Sequence, residues 1–317
     1  MENTAKPRTW QVLLAFAIIY FVWGSTFLAI RIGVRDVPPL LLAGLRFLIA
    51  GAVLYGWMRA RGTPSPTLRE WRAASLIAIL IFVCDYGLLF WAEQRVPSGL
   101  AAVMLATIPV FMALSEILIL RTQRLTLRLA IALSVGIAGV AVLVSHSARF
   151  GDVPIDTAGA GALLVAAISW SVASALTRKV PLPESKVMSS GAQMFAGGVL
   201  LLIAASLLGE FRGFEPSNVS PRAWWALAYL TIAGSIIGFS AYVWLIHHES
   251  PTKVGTYAYV NPFVAVLIGY FFGGEALGPR TLLGTLCVVA SVIIITTTPA
   301  TKYAREDWQR EPQELET

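Results

Sequence analysis

Ten apolar runs, each close to the length of a bilayer crossing, constrain this chain more than any other feature of its sequence. A membrane-spanning helix needs about 20 consecutive apolar residues. Charges, prolines and turn residues separate the runs, which cover approximately residues 10–30, 40–58, 73–92, 98–120, 127–144, 158–176, 187–208, 224–246, 252–272 and 281–297. The sequence therefore predicts an all-α integral membrane protein with ten transmembrane helices.

The composition excludes a soluble globular protein. Hydrophobic residues make up 56% of the chain and charged residues only 13%, whereas soluble domains contain about 25% charged residues. Most of the apolar surface must therefore face membrane lipid. The formal net charge of +6 is spread over the ends of the apolar runs, so the sequence predicts no nucleic-acid partner.

The basic residues predict the orientation of the chain in the membrane. Cytoplasmic loops carry an excess of Lys and Arg. The loops on the side that holds both termini contain sixteen basic residues, and the loops on the other side contain seven. We therefore expect both termini to be cytoplasmic, with a short cytoplasmic segment at residues 1–9 and a polar cytoplasmic tail at residues 299–317.

The second half of the chain repeats the first. Trp23–Arg31 aligns with Trp170–Arg178 at an offset of 147, and Gly51 aligns with Gly198 at the same offset. At an offset of 153, the residues Trp71, Trp91 and Pro109 align with Trp224, Trp244 and Pro262. The offset is nearly fixed, with one gap of six residues, and such an offset is the signature of a duplicated unit. The two predicted copies are residues 10–145 and residues 158–298.

Each copy contains five apolar runs, and this odd number predicts how the copies are related. The second copy must enter the membrane from the opposite side, so the copies form two inverted-topology five-helix repeats. This architecture is typical of secondary transporters, in which the repeats exchange conformations around a site at the membrane midplane.

Four segments resemble one transporter family. They are WGSTFLAIR, PPLLLAGLRFLIAG, VPSGLAAVMLATIPVF and SPTKVGTYAYVNPFVAVLIGYFFGGEALG, in the first, second, fourth and ninth runs. Together they resemble the EamA branch of the drug/metabolite transporter superfamily, over about residues 10–298. The resemblance implies a ten-helix basket in a bacterial inner membrane that exports metabolites, amino acids or drug-like compounds. The acidic residue that the family has after the ninth helix is Glu275, and the matching position of the first half is Gln123.

Three ionisable residues lie inside apolar runs, namely Arg46, Asp85 and Glu116. A charge at a helix centre costs about 2.5–3.5 kcal/mol on insertion scales, so such a residue should face protein or a wet cavity. Arg46 and Asp85 are predicted at similar depth. Either they form a charge pair, or an unpaired Asp85 binds a proton or a cationic substrate. Glu116 lies near a run end and is expected to reach the interface.

Aromatic and polar side chains predict the wall of a substrate cavity. Trp23 and Trp170 are equivalent in the two copies and lie away from run ends, and Tyr257 and Tyr259 add polar aromatic tips. The alternative is that these side chains pack or hydrogen-bond between helices. The predicted substrate-binding residues are Trp23, Ser25, Thr26, Asp85, Tyr86, Trp170, Tyr257, Tyr259 and Asn261.

Two equivalent prolines are candidate hinges. Pro109 and Pro262 lie within the fourth and ninth runs, where each removes one helical N–H donor and can kink the helix. A purely structural kink is the alternative, since membrane helices tolerate proline.

Two other classes of protein are weighed against a transporter. The sequence has no phosphate loop, HExxH or GxSxG motif, so it predicts no enzyme, no cofactor and no metal site. A passive uniporter or channel-like facilitator is the alternative function, although no ring of like charges or repeated filter sequence supports it. The prediction is a secondary active exporter of small amphipathic metabolites, either coupled to protons or driven downhill. Its state as monomer or homodimer is left open.

Overall fold

The protein is described by a computed structural model, which covers residues 8–120, 126–144, 149–150, 153–154, 156–177, 179–248, 254, 257–275 and 278–296. These residues are almost entirely helical. Ten long helical segments follow one another in the described ranges: α1 Thr9–Gly33, α2 Pro39–Ala60, α3 Leu68–Ala92, α4 at 98–120, α5 Leu127–Val144, α6 Thr157–Leu176, α7 Lys186–Leu207, α8 at 221–248, α9 Tyr257–Gly273 and α10 Pro279–Thr296.

Short elements complete the described part. Helix α4 consists of Ser98–Leu105, a turn, Ile108–Ser115 and Glu116–Leu120. The antiparallel strands β1 (Arg149–Phe150) and β2 (Val153–Pro154) lie between α5 and α6, and a 3-10 turn at Pro216–Asn218 precedes α8.

Seven of these helices, within the described ranges, are long and apolar enough to cross a membrane. They are α1 to α4 and α6 to α8. The apolar parts of the other three, at Leu127–Gly139, Val260–Gly273 and Leu282–Ile294, are shorter. The prediction of a helical multi-pass membrane protein is confirmed, with seven candidate spans where the sequence predicted ten.

Side-chain caps explain where several helices begin. Thr67 and Glu70 form a capping box at the start of α3, in which each side chain bonds the other residue's main-chain N–H. The side chains of Asp156, Ser185 and Ser220 accept main-chain N–H groups at the starts of α6, α7 and α8. Such caps satisfy the N–H groups that a helix leaves free at its first turn.

Four helices contain π-helical segments, at Ile18–Val22, Ile79–Tyr86, Glu116–Leu120 and Leu230–Ile237. In a π segment each main-chain N–H bonds the carbonyl five residues earlier in the chain, instead of four as in an α-helix. Such segments are common at functional sites. Helices α3 and α8, which are equivalent in the sequence repeat, each carry an eight-residue π segment.

Helices α2 and α7 cross in an antiparallel, reciprocal contact. A Cβ atom on Gly51 would collide with the main chain of Phe195, and one on Gly198 would collide with the main chain of Leu48. Since Gly198 and Phe195 are the positions equivalent to Gly51 and Leu48 at the offset of 147, the same contact is made twice. Glycine allows this approach because it has no side chain.

A second glycine pair repeats this pattern in the same crossing. Gly44 lies against Leu202, and Gly191 lies against Tyr55. Residue numbers rise along α2 while they fall along α7, so the two helices run in opposite directions. The main core of buried residues surrounds this crossing and includes Phe47, Leu54, Phe90 and Leu201.

Four carboxyl groups lie at helix ends at one end of the bundle, which we name the carboxylate-rich face (Asp36, Glu93, Glu210 and Glu275), and three of them bond helix ends from the other half. Glu210, which follows α7, accepts hydrogen bonds from the N–H groups of Leu40 and Leu41 at the start of α2. Asp36 accepts one from the N–H of Ser220 before α8. These contacts hold the ends of helices from the two halves together.

Candidate functional site

Arg46 of α2 is the buried centre of the candidate site, with 3% of its surface exposed. Its Nε donates a hydrogen bond to Ser235 Oγ at 2.9 Å, and Ser235 lies in the π segment of α8. The guanidinium carbon lies 4.6 Å from the ring centre of Phe47 and 5.4 Å from that of Tyr86. Its Nη1 is buried and has no hydrogen-bond partner among the described residues, so one donor of the guanidinium is unsatisfied.

Asp85 of α3 is a second buried ionisable residue, 2% exposed, in the π segment Ile79–Tyr86. Its Oδ1 has no hydrogen-bond partner in the described part of the chain. In the sequence repeat Asp85 aligns with Gly238, where a Cβ atom would lie 2.6 Å from the indole nitrogen of Trp23. The first half thus has a carboxyl group where the second half has space for a tryptophan ring.

Arg46 and Asp85 are not paired with each other. No ion pair joins them, although the hydroxyl of Tyr86 is within electrostatic range of both. Two buried ionisable residues, each with an unpartnered polar atom, therefore both interact with one tyrosine. That an unpaired Asp85 binds a proton or a cationic substrate stays a prediction.

Trp23, Tyr242 and Tyr257 form a second group, which we name the Trp23 cluster. The Trp23 ring centre lies 5.3 Å from that of Tyr242 and 5.2 Å from that of Tyr257. The indole Nε1 of Trp23 donates to the carbonyl of Gly234 at 3.0 Å, within the π segment of α8. The cluster thus joins α1, α8 and α9.

Tyr86 links the two halves of the candidate site. Its ring centre lies 6.0 Å from that of Trp170 on α6, and its ring lies under the guanidinium of Arg46 on α2. Trp170 is half-buried. The two tryptophans that the sequence repeat equates therefore lie against π-containing helices, Trp23 against α8 and Trp170 against α3.

The other predicted binding residues make different contacts. Thr26 is buried and donates to the carbonyl of Trp23 at 2.6 Å, and its methyl group lies close to Gly234. Ser25 donates to Val22 O at 2.8 Å and is 2.6 Å from the hydroxyl of Tyr229. The hydroxyls of Ser25 and Thr26 are thus partnered inside the protein.

Asn261 is joined to α1. In the amide orientation that satisfies its surroundings, its NH₂ group donates to the carbonyls of Ile19 and Tyr20 at 3.3 and 3.2 Å. These carbonyls belong to the π segment Ile18–Val22, so Asn261 serves a distorted stretch of helix. The side chains of Tyr259 and Glu116, together with all of Gln123, lie outside the part of the chain that the structure describes.

The two candidate hinges differ. Pro109 follows a turn at residues 106–107 that divides α4, whereas Pro262 lies inside the continuous helix α9. At the break in α4, Ser171 of α6 donates to the carbonyl of Ile108 at 3.1 Å. Pro109 therefore lies at a joint that another helix supports through a hydrogen bond.

Sequence reasoning missed Ser235, Gly234 and Tyr242. Ser235 and Gly234 are small residues in a strongly apolar run and carry no signal that distinguishes them. Tyr242 is five residues from the charged end of its predicted helix and resembles an interfacial tyrosine. Only the folded chain brings Gly234 within 3.2 Å of Arg46, measured from a Cβ built on the glycine to Nη2.

Comparisons with known proteins agree with this architecture. The model of the EamA-like transporter family matches residues 9–145 and 157–297. The inner membrane transporter YedA of Escherichia coli (strain K12) is 38% identical over 284 residues, which cover 89% of each chain. The transporter YvbV of Bacillus subtilis (strain 168) is 27% identical and covers 94% of each chain.

One more relative and one solved structure are also similar to this chain. Protein PecM of Dickeya dadantii (strain 3937) is 28% identical over 276 residues, which cover 86% of this chain and 88% of PecM. A solved crystal structure that is 25% identical superposes with a TM-score of 0.60 and covers 95% of this chain and 98% of its own. The chain is a multi-pass inner membrane transporter, not an enzyme, and belongs to the EamA-like transporter family.

Proposed function

We propose that this protein is a secondary exporter that moves small amphipathic metabolites, such as amino acids or drug-like compounds, by alternating access. The observation that carries the proposal is that two buried ionisable residues, Arg46 and Asp85, each have an unpartnered polar atom close to the aromatic side chains of Tyr86 and Trp170. A buried charge without a partner is costly. It is retained where a ligand completes it, and an intramembrane ionisable residue marks a transport pathway.

The chemistry of the two charges suggests how a substrate binds. The free Nη1 of Arg46 suits an anionic group, because a guanidinium donates charge-assisted hydrogen bonds to carboxylates. Asp85 suits an ammonium group or a proton. Tyr86 and Trp170 take the apolar body of the substrate, and the Trp23 cluster extends this wall toward α8 and α9.

The two-repeat arrangement supplies the conformational change. The reciprocal antiparallel contact of Gly51 and Gly198 supports a two-fold relation between the halves, and the double match of the family model supports the division at residues 10–145 and 158–298. Halves related in this way open to opposite sides of the membrane in turn. By the distribution of basic residues, the carboxylate-rich face is extracellular and both termini are cytoplasmic.

Thermal stabilisation by a metabolite panel tests the proposed substrate site. The panel contains amino acids, amines, nucleobases and cationic dyes, each added to the purified protein. A ligand at about 100 times its dissociation constant adds about 2.7 kcal/mol of stability. We expect amphipathic zwitterions to raise the melting temperature of the unsubstituted protein and of Gln193→Ala, which changes the position equivalent to Arg46. If no compound of the panel stabilises the protein in a way that requires Arg46, the proposed site is wrong.

Counterflow in proteoliposomes tests the mode of transport. A carrier shows saturation and is accelerated by substrate on the opposite side, whereas an open pore shows neither. We expect both properties for any compound that stabilises the protein. Linear flux without acceleration would instead identify a passive facilitator.

A further inference from the structure

A buried carboxyl group lies outside the candidate substrate site. Glu93 is the residue that follows α3, at the carboxylate-rich face. It is 2% exposed, and neither of its side-chain oxygens has a hydrogen-bond partner among the described residues. Nothing in the proposed binding of substrate uses this group.

Glu93 lies beside a set of contacts that we name the Glu275 clamp (Arg31, Ser98, Gly99 and Glu275). Glu275 Oε1 accepts hydrogen bonds from Ser98 N at 2.8 Å and Ser98 Oγ at 2.6 Å. Its Oε2 accepts one from Gly99 N at 3.0 Å. Arg31 Nη1 lies 3.5 Å from Glu275 Oε1. The clamp thus joins the end of α9 in the second half to α1 and α4 in the first.

Two glycines hold Glu275 in this position. Gly274 has a φ of +66°, a left-handed conformation that favours glycine, and it turns the chain back at the end of α9. A Cβ atom on Gly269 would lie 2.6 Å from Glu275 Oε2. The carboxylate therefore lies folded over the last turns of its own helix, with its oxygens at the start of α4.

The charged groups around Glu93 come from several elements. Arg31 lies on α1 and Glu275 follows α9, and both interact electrostatically with Glu93. In the turn that contains Glu93, Nη1 of Arg95 lies 3.9 Å from Oδ2 of Asp156, the residue before α6. Both of these side chains are partly exposed. In the described part of the chain, two buried carboxyl groups therefore share one half-buried cation, Arg31, and the clamp uses that cation for Glu275.

The physical consequence concerns the charge of Glu93. An ionised carboxylate that is buried without hydrogen bonds is strongly disfavoured. Burial, followed by the charge of Glu275, raises the pKa of Glu93 well above its ordinary value, while Arg31 opposes this shift only in part. The closed arrangement therefore favours the neutral acid.

We propose that Glu93 is a proton-binding site that holds the Glu275 clamp closed, being protonated while the clamp is closed and ionised once the clamp opens to water. This inference rests on the proposed function, because the clamp has to open when the carrier faces outward. Proton affinity is higher in the closed state, so low pH stabilises closure. That stabilisation is lost as the pH rises through the value at which Glu93 ionises in the closed state.

Infrared spectroscopy of the purified full-length protein tests the protonation directly. We expect a carbonyl band of a protonated carboxylic acid that persists above the ordinary glutamate pKa of about 4.3. The band should be absent from Glu93→Gln and present in Glu215→Gln, which changes an exposed carboxylate in the loop after α7. If Glu93→Gln does not fold, Glu93→Asp takes its place and should shift the band. A spectrum in which no such band depends on residue 93 would overturn the proposal.

Opening of the Glu275 clamp is measured as the distance between spin labels at positions 95 and 272. Both positions are exposed, and the background carries Cys84→Ala and Cys287→Ala. We expect a short-distance population at low pH that decreases as the pH rises, and that persists at all pH values in Glu93→Gln. A distance distribution that is independent of pH in the unsubstituted background would also overturn the proposal.

These measurements need no substrate, so the two proposals fail separately. Labels that respond to pH through Glu93 support the proton site even if no compound is transported. Carrier kinetics together with labels that ignore pH would support the proposed function and remove the proton site.

Discussion

Arg46 of the first half donates a hydrogen bond to Ser235 of the second half at 2.9 Å. This bond joins α2 to the π segment of α8 and leaves Nη1 of the same guanidinium free. Arg46, which we propose as a substrate-binding residue, therefore also connects the two halves. Binding of a substrate at Arg46 has a direct route to the relative position of the repeats.

The first prediction concerns the shape of the Arg46 side chain. Arg46→Lys keeps a positive charge but removes the planar guanidinium, which in the proposed site donates to Ser235 and to an anionic group of the ligand at the same time. Hydrogen bonds to charged groups contribute about 1.5–3 kcal/mol, so we expect the dissociation constant of a zwitterionic ligand to rise by about ten- to a hundredfold. Thermal-shift titrations measure this constant. Gln193→Ala is the control and should leave it unchanged.

The second prediction concerns Asp85. Asp85→Asn keeps the shape of the side chain and removes its charge, so the variant should lose affinity for ligands with an ammonium group. If Asp85 carries a proton during transport, the variant should also lose the pH dependence of flux. Flux assays in proteoliposomes over a range of pH measure both effects. Unchanged affinity, rate and pH dependence would remove Asp85 from the mechanism.

The membrane character of the fold could be predicted from the sequence, because apolar runs must cover a fixed bilayer thickness. The equivalence of Trp23 with Trp170 and of Gly51 with Gly198 was visible in the repeat. The contacts of these residues were not. A glycine at a helix crossing and a glycine facing open space look alike in a sequence, and only the fold shows that Gly51 meets Phe195 while Gly56 meets nothing within 4 Å.

The site was only partly predictable, for a similar reason. Buried charges stand out in an apolar run, so Arg46 and Asp85 were found. Whether two such charges pair depends on helix rotation and on π segments, which shift the faces of a helix. The burial of Glu93 beside the Glu275 clamp could not be predicted, because Glu93 lies at a predicted helix end where a charged residue is ordinarily solvated.

The third prediction concerns the α2–α7 crossing. Gly51→Ala and Gly198→Ala each place a methyl group against the main chain of the other helix. Overpacking of this kind costs about 1–3 kcal/mol, and the reciprocal geometry predicts similar losses for the two variants. Unfolding in detergent measures them. Gly56→Ala, which meets open space on the same helix, is the matched control and should not destabilise the protein.

The fourth prediction concerns Asn261 and the π segment of α1. Asn261→Leu keeps the volume but removes the NH₂ group that serves the carbonyls of Ile19 and Tyr20. Hydrogen bonds between membrane helices contribute about 0.6 kcal/mol on average and about 1.7 kcal/mol at most. We expect a loss of stability in this range and faster hydrogen exchange in α1 around the segment. Exchange that increases equally in all helices would argue against a local role.

The fifth prediction compares two carboxylates that cap helices at the same face. Glu275 is 7% exposed and accepts three hydrogen bonds at the start of α4, whereas the half-exposed Glu210 accepts two at the start of α2. Glu275→Gln removes the charge opposite Arg31 and weakens bonds that are stronger for an ionised acceptor. We expect this variant to lose about 1.5–3 kcal/mol and Glu210→Gln to lose less, because solvent replaces part of its contacts. Equal losses in thermal unfolding would mean that Arg31 and burial add nothing to the clamp beyond ordinary helix capping.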